Sequence, residues 1–199
     1  MKLHSFRTVI FVLTASLSLL IASPSLQKLL VFPVGDKISE MWLLGPSHKV
    51  EYPSNTTTDE NLRLYVVVNN HLGSSAYYSV EVKFRNQTQS EPNSFNHTHS
   101  TLPSICAFNF FVADNQTYEL PMDISLGYEL DRKIPLRLNM QNVTVNGVTI
   151  GYNSTVIDWD IAKAGFYGNL FFELWRLNET TGTFQYHQRY VGLWLKLAT

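Results

Sequence analysis

Three carboxylates offer this chain its most direct route to chemistry. Asp158 and Asp160 flank Trp159, and Glu173 follows in an apolar run. On a strand, residues i and i+2 project from one face, so the aspartates would pair. Such a pair serves glycosidase-like chemistry or calcium binding. The bland alternative is a solvated turn whose Trp159 packs inward, and one short pair is common by chance. His97-Thr98-His99 would set two imidazoles on one side of an extended segment, yet two ligands do not hold zinc and no third is evident. Cys106 is alone, which excludes a disulfide within the chain. It sits in SICAFNFF, where a small buried apolar residue is expected; a surface thiol bridging two chains is the alternative. No G-x-S-x-G, phosphate-cradling glycine loop, dinucleotide fingerprint or zinc-protease helix occurs. The residues therefore predict no catalytic group, no metal and no cofactor. Trp175 and Trp194, with Phe184 and Tyr186 between them, would serve as a sugar-binding platform if exposed. Core packing is the default for such rings.

The elements that must position these groups are short strands. Leu62, Leu64, Val66 and Val68 alternate along one segment. In the next, Tyr78, Val80, Val82 and Phe84 point one way while Ser79, Glu81, Lys83 and Arg85 point the other. Period-2 patterning means strands with one buried and one wet face. The turn residues NNHLGSS between them predict a hairpin. Further strands are expected at 41–45, 105–113, 117–126, 133–140, 143–146 and 148–152, the last two flanking Asn146-Gly147, a strong hairpin signal. Segments 168–177 and 190–197 are strongly apolar, with a short TFQYH piece between them, and only 158–165 resembles a helical turn. About eight short strands argue for a mainly β fold, an antiparallel sandwich of immunoglobulin-like architecture. The polar loop 86–104 carries two sequons and is the segment expected to move or to face a partner.

A different segment precedes this domain. Lys2 and Arg7 are followed by TVIFVLTASLSLLIA, an uncharged stretch of secretory-signal or signal-anchor type. The division is thus 1–34 as anchor and linker and 35–199 as the extracytoplasmic domain. A retained single-pass anchor over residues 8–26 is favoured over cleavage, because no clean A-x-A site exists. Flanking lysines and arginines are nearly balanced, so the sequons set the orientation. These are Asn55, Asn86, Asn96, Asn115, Asn142, Asn153 and Asn178, seven of fifteen asparagines. Chance would supply about three, so the excess predicts glycosylation of a domain outside the cell membrane. After the leader the chain holds twelve basic and sixteen acidic side chains with no basic stripe, which argues against nucleic-acid binding.

SEMWLLGPSHKVEYPSNTT, LYVVVNNHLGSSAYYSVEVKFRNQTQ and FYGNLFFELWRLNETTGTFQYHQRYVGLWLKL together resemble an archaeal membrane-protein family, domain of unknown function 1616. The motifs that carry the resemblance are Leu43–Pro46, Tyr52–Asn55, Asn70-His71, Tyr78–Val82 and Arg189–Leu195, and it spans about residues 39–197. It implies membrane attachment and a β-sandwich outside the cell, and supplies no established activity. In physical terms Gly45-Pro46 ends a strand and starts a turn, and Asn70 and His71 can bond the backbone of the turn that follows. The expected function is a non-enzymatic envelope module, structural, adhesive or accessory, with protein or glycan partners. The alternatives are a glycan- or peptide-processing enzyme using Asp158, Asp160 or Glu173, and a ligand-sensing ectodomain acting through a partner.

Overall fold

A computed structural model describes residues 3–22, 37–93, 95–152 and 155–199. The chain divides into two compact units, 1–36 and 37–199. In the first, α1 (Leu3–Ala22) contains neither Pro nor Gly, and Thr14 Oγ1 turns back to the carbonyls of Ile10 and Phe11, both at 3.0 Å. His4, Arg7 and several hydroxyls dilute its apolar character. No helix among the described residues is long and apolar enough to cross a membrane. Residues 23–26 of the expected span 8–26 lie outside the described ones.

The second unit is mainly β. Its strands are β1 (Ile38–Leu44), β2 (Asn55–Thr56), β3 (Leu62–His71), β4 (Ala76–Arg85), β5 (Cys106–Val112), β6 (Gln116–Leu130), β7 (Arg137–Val145), β8 (Val148–Gly151), β9 (Val156–Asp160), β10 (Gly165–Asn178) and β11 (Thr183–Leu197). They form one eleven-stranded, curled, open sheet. One half runs β1-β3-β6-β7, with β8 added to β7; the other holds β5-β4-β10-β11-β2. Strand β9 joins them, pairing with β7 through Val156–Asp158 and with β10 through Trp159 and Asp160. The inward residues of both halves meet in one apolar cluster that includes Leu64, Val66, Val82, Phe84, Ile124, Met140, Leu170 and Phe172. Sheet burial on this scale is the main stabilising term of the unit.

Eleven strands stand where about eight were expected: β8 falls at the expected 148–152 and the segments 133–140 and 143–146 are one strand, β7, whereas the short β2 and β9 carry patterns too weak to read. The hairpin expected from Leu62 to Arg85 does not form. Strand β3 pairs with β1 and β6, whereas β4 pairs with β10 and β5. Both strands do turn their alternating apolar sets inward, but from opposite halves of the curl, an arrangement that patterning cannot tell from a hairpin. The segment read as a helical turn is β9 followed by a turn over 161–164. The Asn146-Gly147 hairpin is present, with φ of 48° and 80° at its two central residues, as the twist-matched turn requires. Gly45 closes the loop after β1: a Cβ there would lie 1.9 Å from the Glu51 carbonyl oxygen. Tyr52 Oη donates to the Leu43 carbonyl at 2.7 Å and ties the loop's two ends together.

Candidate functional site

The three candidate carboxylates do not converge. Asp158 accepts from Arg137 Nε at 2.7 Å on an exposed surface. Asp160 receives the backbone N–H of Lys163 at 3.0 Å and shapes the turn. Trp159 is 37% exposed, its ring edge-on to Phe166 with centroids 5.0 Å apart. Glu173 lies seven residues beyond Phe166, the strand partner of Trp159, which is about 23 Å of extended chain at ~3.3 Å per residue.

Glu173 is fully buried on the outer face of β10, directly opposite Glu81 of β4. Two facing carboxylates repel, and Lys83 resolves the conflict. Its Nζ reaches Glu173 Oε2 at 2.7 Å, Glu81 Oε2 at 3.2 Å and the Ser100 carbonyl at 3.2 Å. Glu173 Oε1 accepts the Ser100 backbone N–H at 2.6 Å. Loop 86–104 is thereby pinned across the sheet, and the face expected to be wet is covered. Arg85 strengthens the pin by donating to Asn169 Oδ1, the Gln89 carbonyl and Glu91, and its guanidinium lies 4.9 Å from the Trp194 ring centroid. His99 packs on Trp175, with centroids 5.0 Å apart. The buried Trp175 Nε1 and Tyr186 hydroxyl next to it have no hydrogen-bond partner among the described residues.

His97 has φ of 57°, so the extended segment that would align it with His99 is absent. Among the described residues no group of three or more His, Cys, Asp or Glu side chains is arranged to hold a metal. Cys106 is half-buried at the start of β5, and burial pushes its thiol up to about 11. Strand β5 pairs only with β4 among the described strands, so its second backbone edge is open. The strand reads CAFNFFV without a charge, and Ala107, Asn109 and Phe111 are exposed.

The sequons occupy distinct environments. Asn55, Asn96 and Asn115 are exposed. Asn86, Asn142 and Asn178 are half-buried, and Asn153 lies outside the described residues. Asn86 Nδ2 donates to the Val156 carbonyl at 2.9 Å while its Oδ1 accepts the N–H groups of Thr88 and Gln89. Asn178 is held the same way, by Gln185, Thr180 and Thr181.

Sequence reasoning tied Asn70 to the turn that follows it but missed the polar end of the curl built around that residue. Asn70 is wholly buried; it donates to the carbonyls of Ser74 and Val112 and accepts from Leu72 N–H and the Tyr78 hydroxyl. Beside it β11 carries a two-residue bulge: Trp175 pairs with Tyr186, but Leu174 pairs with Arg189. Gln188, within the bulge, has φ of 59°. His187 is turned toward Tyr78, with ring centroids 6.1 Å apart. Burial first, then the charges of Arg176 and Arg189, lowers its pKa to about 4. A histidine depressed in the folded state leaves stability intact above its unfolded pKa near 6.5 and removes it as the pH falls toward 4. Thermal melts from pH 7 to 4 should therefore show a loss that is smaller in His187→Gln; parallel profiles for the two proteins would contradict this.

The fold is a mainly β, curled eleven-stranded sheet, and the comparisons place its family. A family model described as domain of unknown function (DUF1616) matches residues 33–138, and the chain belongs to that family. The matched stretch holds the Leu43–Pro46, Tyr52–Asn55, Asn70-His71 and Tyr78–Val82 motifs; Arg189–Leu195 lies beyond it. No curated protein matches the chain.

Proposed function

We propose that this chain is a non-enzymatic contact module of an archaeal cell envelope, its domain displayed outside the membrane and attached by the segment around residues 8–26. On this reading the curled sheet serves as an immunoglobulin-like sandwich that binds protein or glycan partners. The observation that carries it is the open edge of β5. The strand has no charge, no Pro and no second strand partner among the described residues, and its outward backbone donors and acceptors between Ala107 and Phe111 are available for strand addition. The separation of Asp158 and Asp160 from Glu173, with Asp158 and Glu173 each bound to a cation, supports contact over catalysis. Exposed Asn55 and Asn96 suit glycan attachment, whereas the amides of Asn86, Asn115 and Asn178 are held by hydrogen bonds.

The test places a photo-cross-linking residue at Asn109 of the full chain in its native cells, with mass spectrometry of the recovered product. The expected result is a cross-link to an envelope protein or to another copy, an uncleaved N-terminus, and sugar on Asn55 and Asn96 ahead of Asn86, Asn115 and Asn178. No cross-link at Asn109 would remove the contact reading. An unmodified chain recovered from the cytoplasm would remove its location as well.

A further inference from the structure

Arg176 stands out among the charged residues of the domain. It lies on β10 opposite Tyr78 of β4 and Gln185 of β11, and it is half-buried. No hydrogen bond or ion pair with the described residues engages its guanidinium. A partly desolvated guanidinium without an acceptor is unfavourable, and five unused donors favour a planar oxyanion. Two clefts meet at this residue. One, of about 430 Å³, lies between the β3–β4 turn and the tip of the β10–β11 hairpin. The other, of about 180 Å³, is lined by Gln185, His187 and Gln188 of the bulge, and the clefts share Arg176 and Asn178.

The larger cleft has two chemically different walls. Tyr77 and Phe111, neighbours across β4 and β5, bring their ring centroids to 4.4 Å, and Phe111 is 70% exposed. Ser74 and Ser75 supply hydroxyl groups in the same cleft. Exposed rings beside hydroxyl partners suit the C–H face and hydroxyls of a sugar, and a guanidinium in the same cleft suits a carboxylate. An acidic peptide would satisfy Arg176 but has no call on the ring pair.

We propose that this cleft binds a hexuronate unit of an acidic polysaccharide, with the sugar ring on Tyr77 and Phe111 and its carboxylate paired to Arg176. The proposal rests on the contact-module reading and names a ligand class for it. Glu179 also lines the cleft and opposes a bound anion. Removing its charge should therefore tighten binding, opposite in sign to the loss of Arg176.

The test is calorimetric titration of the purified full-length chain with a tetrasaccharide of galacturonic acid, its methyl-esterified neutral form, and hexaglutamate. The expected result is binding of the acidic tetrasaccharide that weakens about tenfold or more in Arg176→Gln and in the methyl ester. Phe111→Ala should also weaken it, and Glu179→Gln should strengthen it. Unfolding midpoints of the three variants, compared with that of the parent, separate loss of the site from loss of the fold. Equal affinity for acid and ester, an Arg176→Gln variant that folds and binds as the parent does, preferential binding of hexaglutamate, or no binding at millimolar tetrasaccharide would each overturn the assignment. Failure here leaves the Asn109 cross-link untouched, and an absent cross-link leaves the titration untouched, so the two readings fail separately.

Discussion

Lys83→Met is expected to lower the stability of the domain by about 3–5 kcal/mol, because it leaves a buried carboxylate without its cation. Glu173 is fully buried and Lys83 is 3% exposed, so water cannot replace the lost partner. The substitution also leaves Glu173 facing Glu81 across the β4–β10 ladder with nothing between them. In urea, with a slope of ~2 kcal/mol per molar, the midpoint should fall by roughly 2 M. The double variant Lys83→Met/Glu173→Leu distinguishes a net stabilising ion pair from a merely compensated one. Apolar replacement of both partners removes two desolvation costs, and most of the lost stability should return. A residual deficit of about 1–3 kcal/mol is expected from the Ser100 N–H, which loses the acceptor that anchors loop 86–104. Should Lys83→Met cost less than about 1 kcal/mol, the pair does not hold its charges in the buried form drawn here.

That cluster also shows where sequence reading stops. The alternation of Tyr78, Val80, Val82 and Phe84 with Ser79, Glu81, Lys83 and Arg85 correctly located a strand and its core face. It also implied that the charged side met water. Burial of that side depends on a loop whose polar composition looks solvated and whose path is fixed by Glu173, seventy-three residues beyond Ser100. Local signals behaved differently. Asn146-Gly147 produced its hairpin because the turn needs only the two adjacent residues. The turn NNHLGSS was also legible as a turn, yet not as a crossing between two halves of a sheet, since both outcomes place the same apolar residues inside. The same limit hid the Arg176 clefts. Arg176 and Phe111 come together only because β4 pairs with both β10 and β5.

Asn70→Ala should be the most damaging single polar substitution at the opposite end of the sheet, costing about 2–4 kcal/mol. The family motif Asn70-His71 was legible as a turn-bonding pair, and for Asn70 the expectation holds: its Oδ1 takes the Leu72 N–H and its Nδ2 reaches the Ser74 carbonyl. The second Nδ2 bond, to Val112 at 2.9 Å, extends the role by fastening the end of β5 to the end of β3. His71 differs from expectation, since its ring bonds the side chains of Asn69 and Asn115 and not the turn backbone. Alanine would strand the buried Val112 carbonyl and take the side-chain partner from the Ser74 carbonyl and the Leu72 N–H in the turn; the Tyr78 hydroxyl would keep Ser39 Oγ at 2.6 Å. Asn70→Asp separates the amide's donor role from its acceptor role. The introduced carboxyl still accepts from Leu72, but at neutral pH it turns an oxygen toward two carbonyl oxygens. Burial and that repulsion raise its folded pKa above the unfolded value near 3.9, so stability is present below that value and is lost as the pH rises through the folded pKa. Urea midpoints relative to the parent should therefore show a deficit for Asn70→Asp that shrinks as the pH is lowered from 7 toward 4. The Asn70→Ala deficit should stay flat over the same range. A pH-independent Asn70→Asp deficit would mean that the donor bonds to Ser74 and Val112 contribute little, and that Asn70 acts through the Leu72 turn alone.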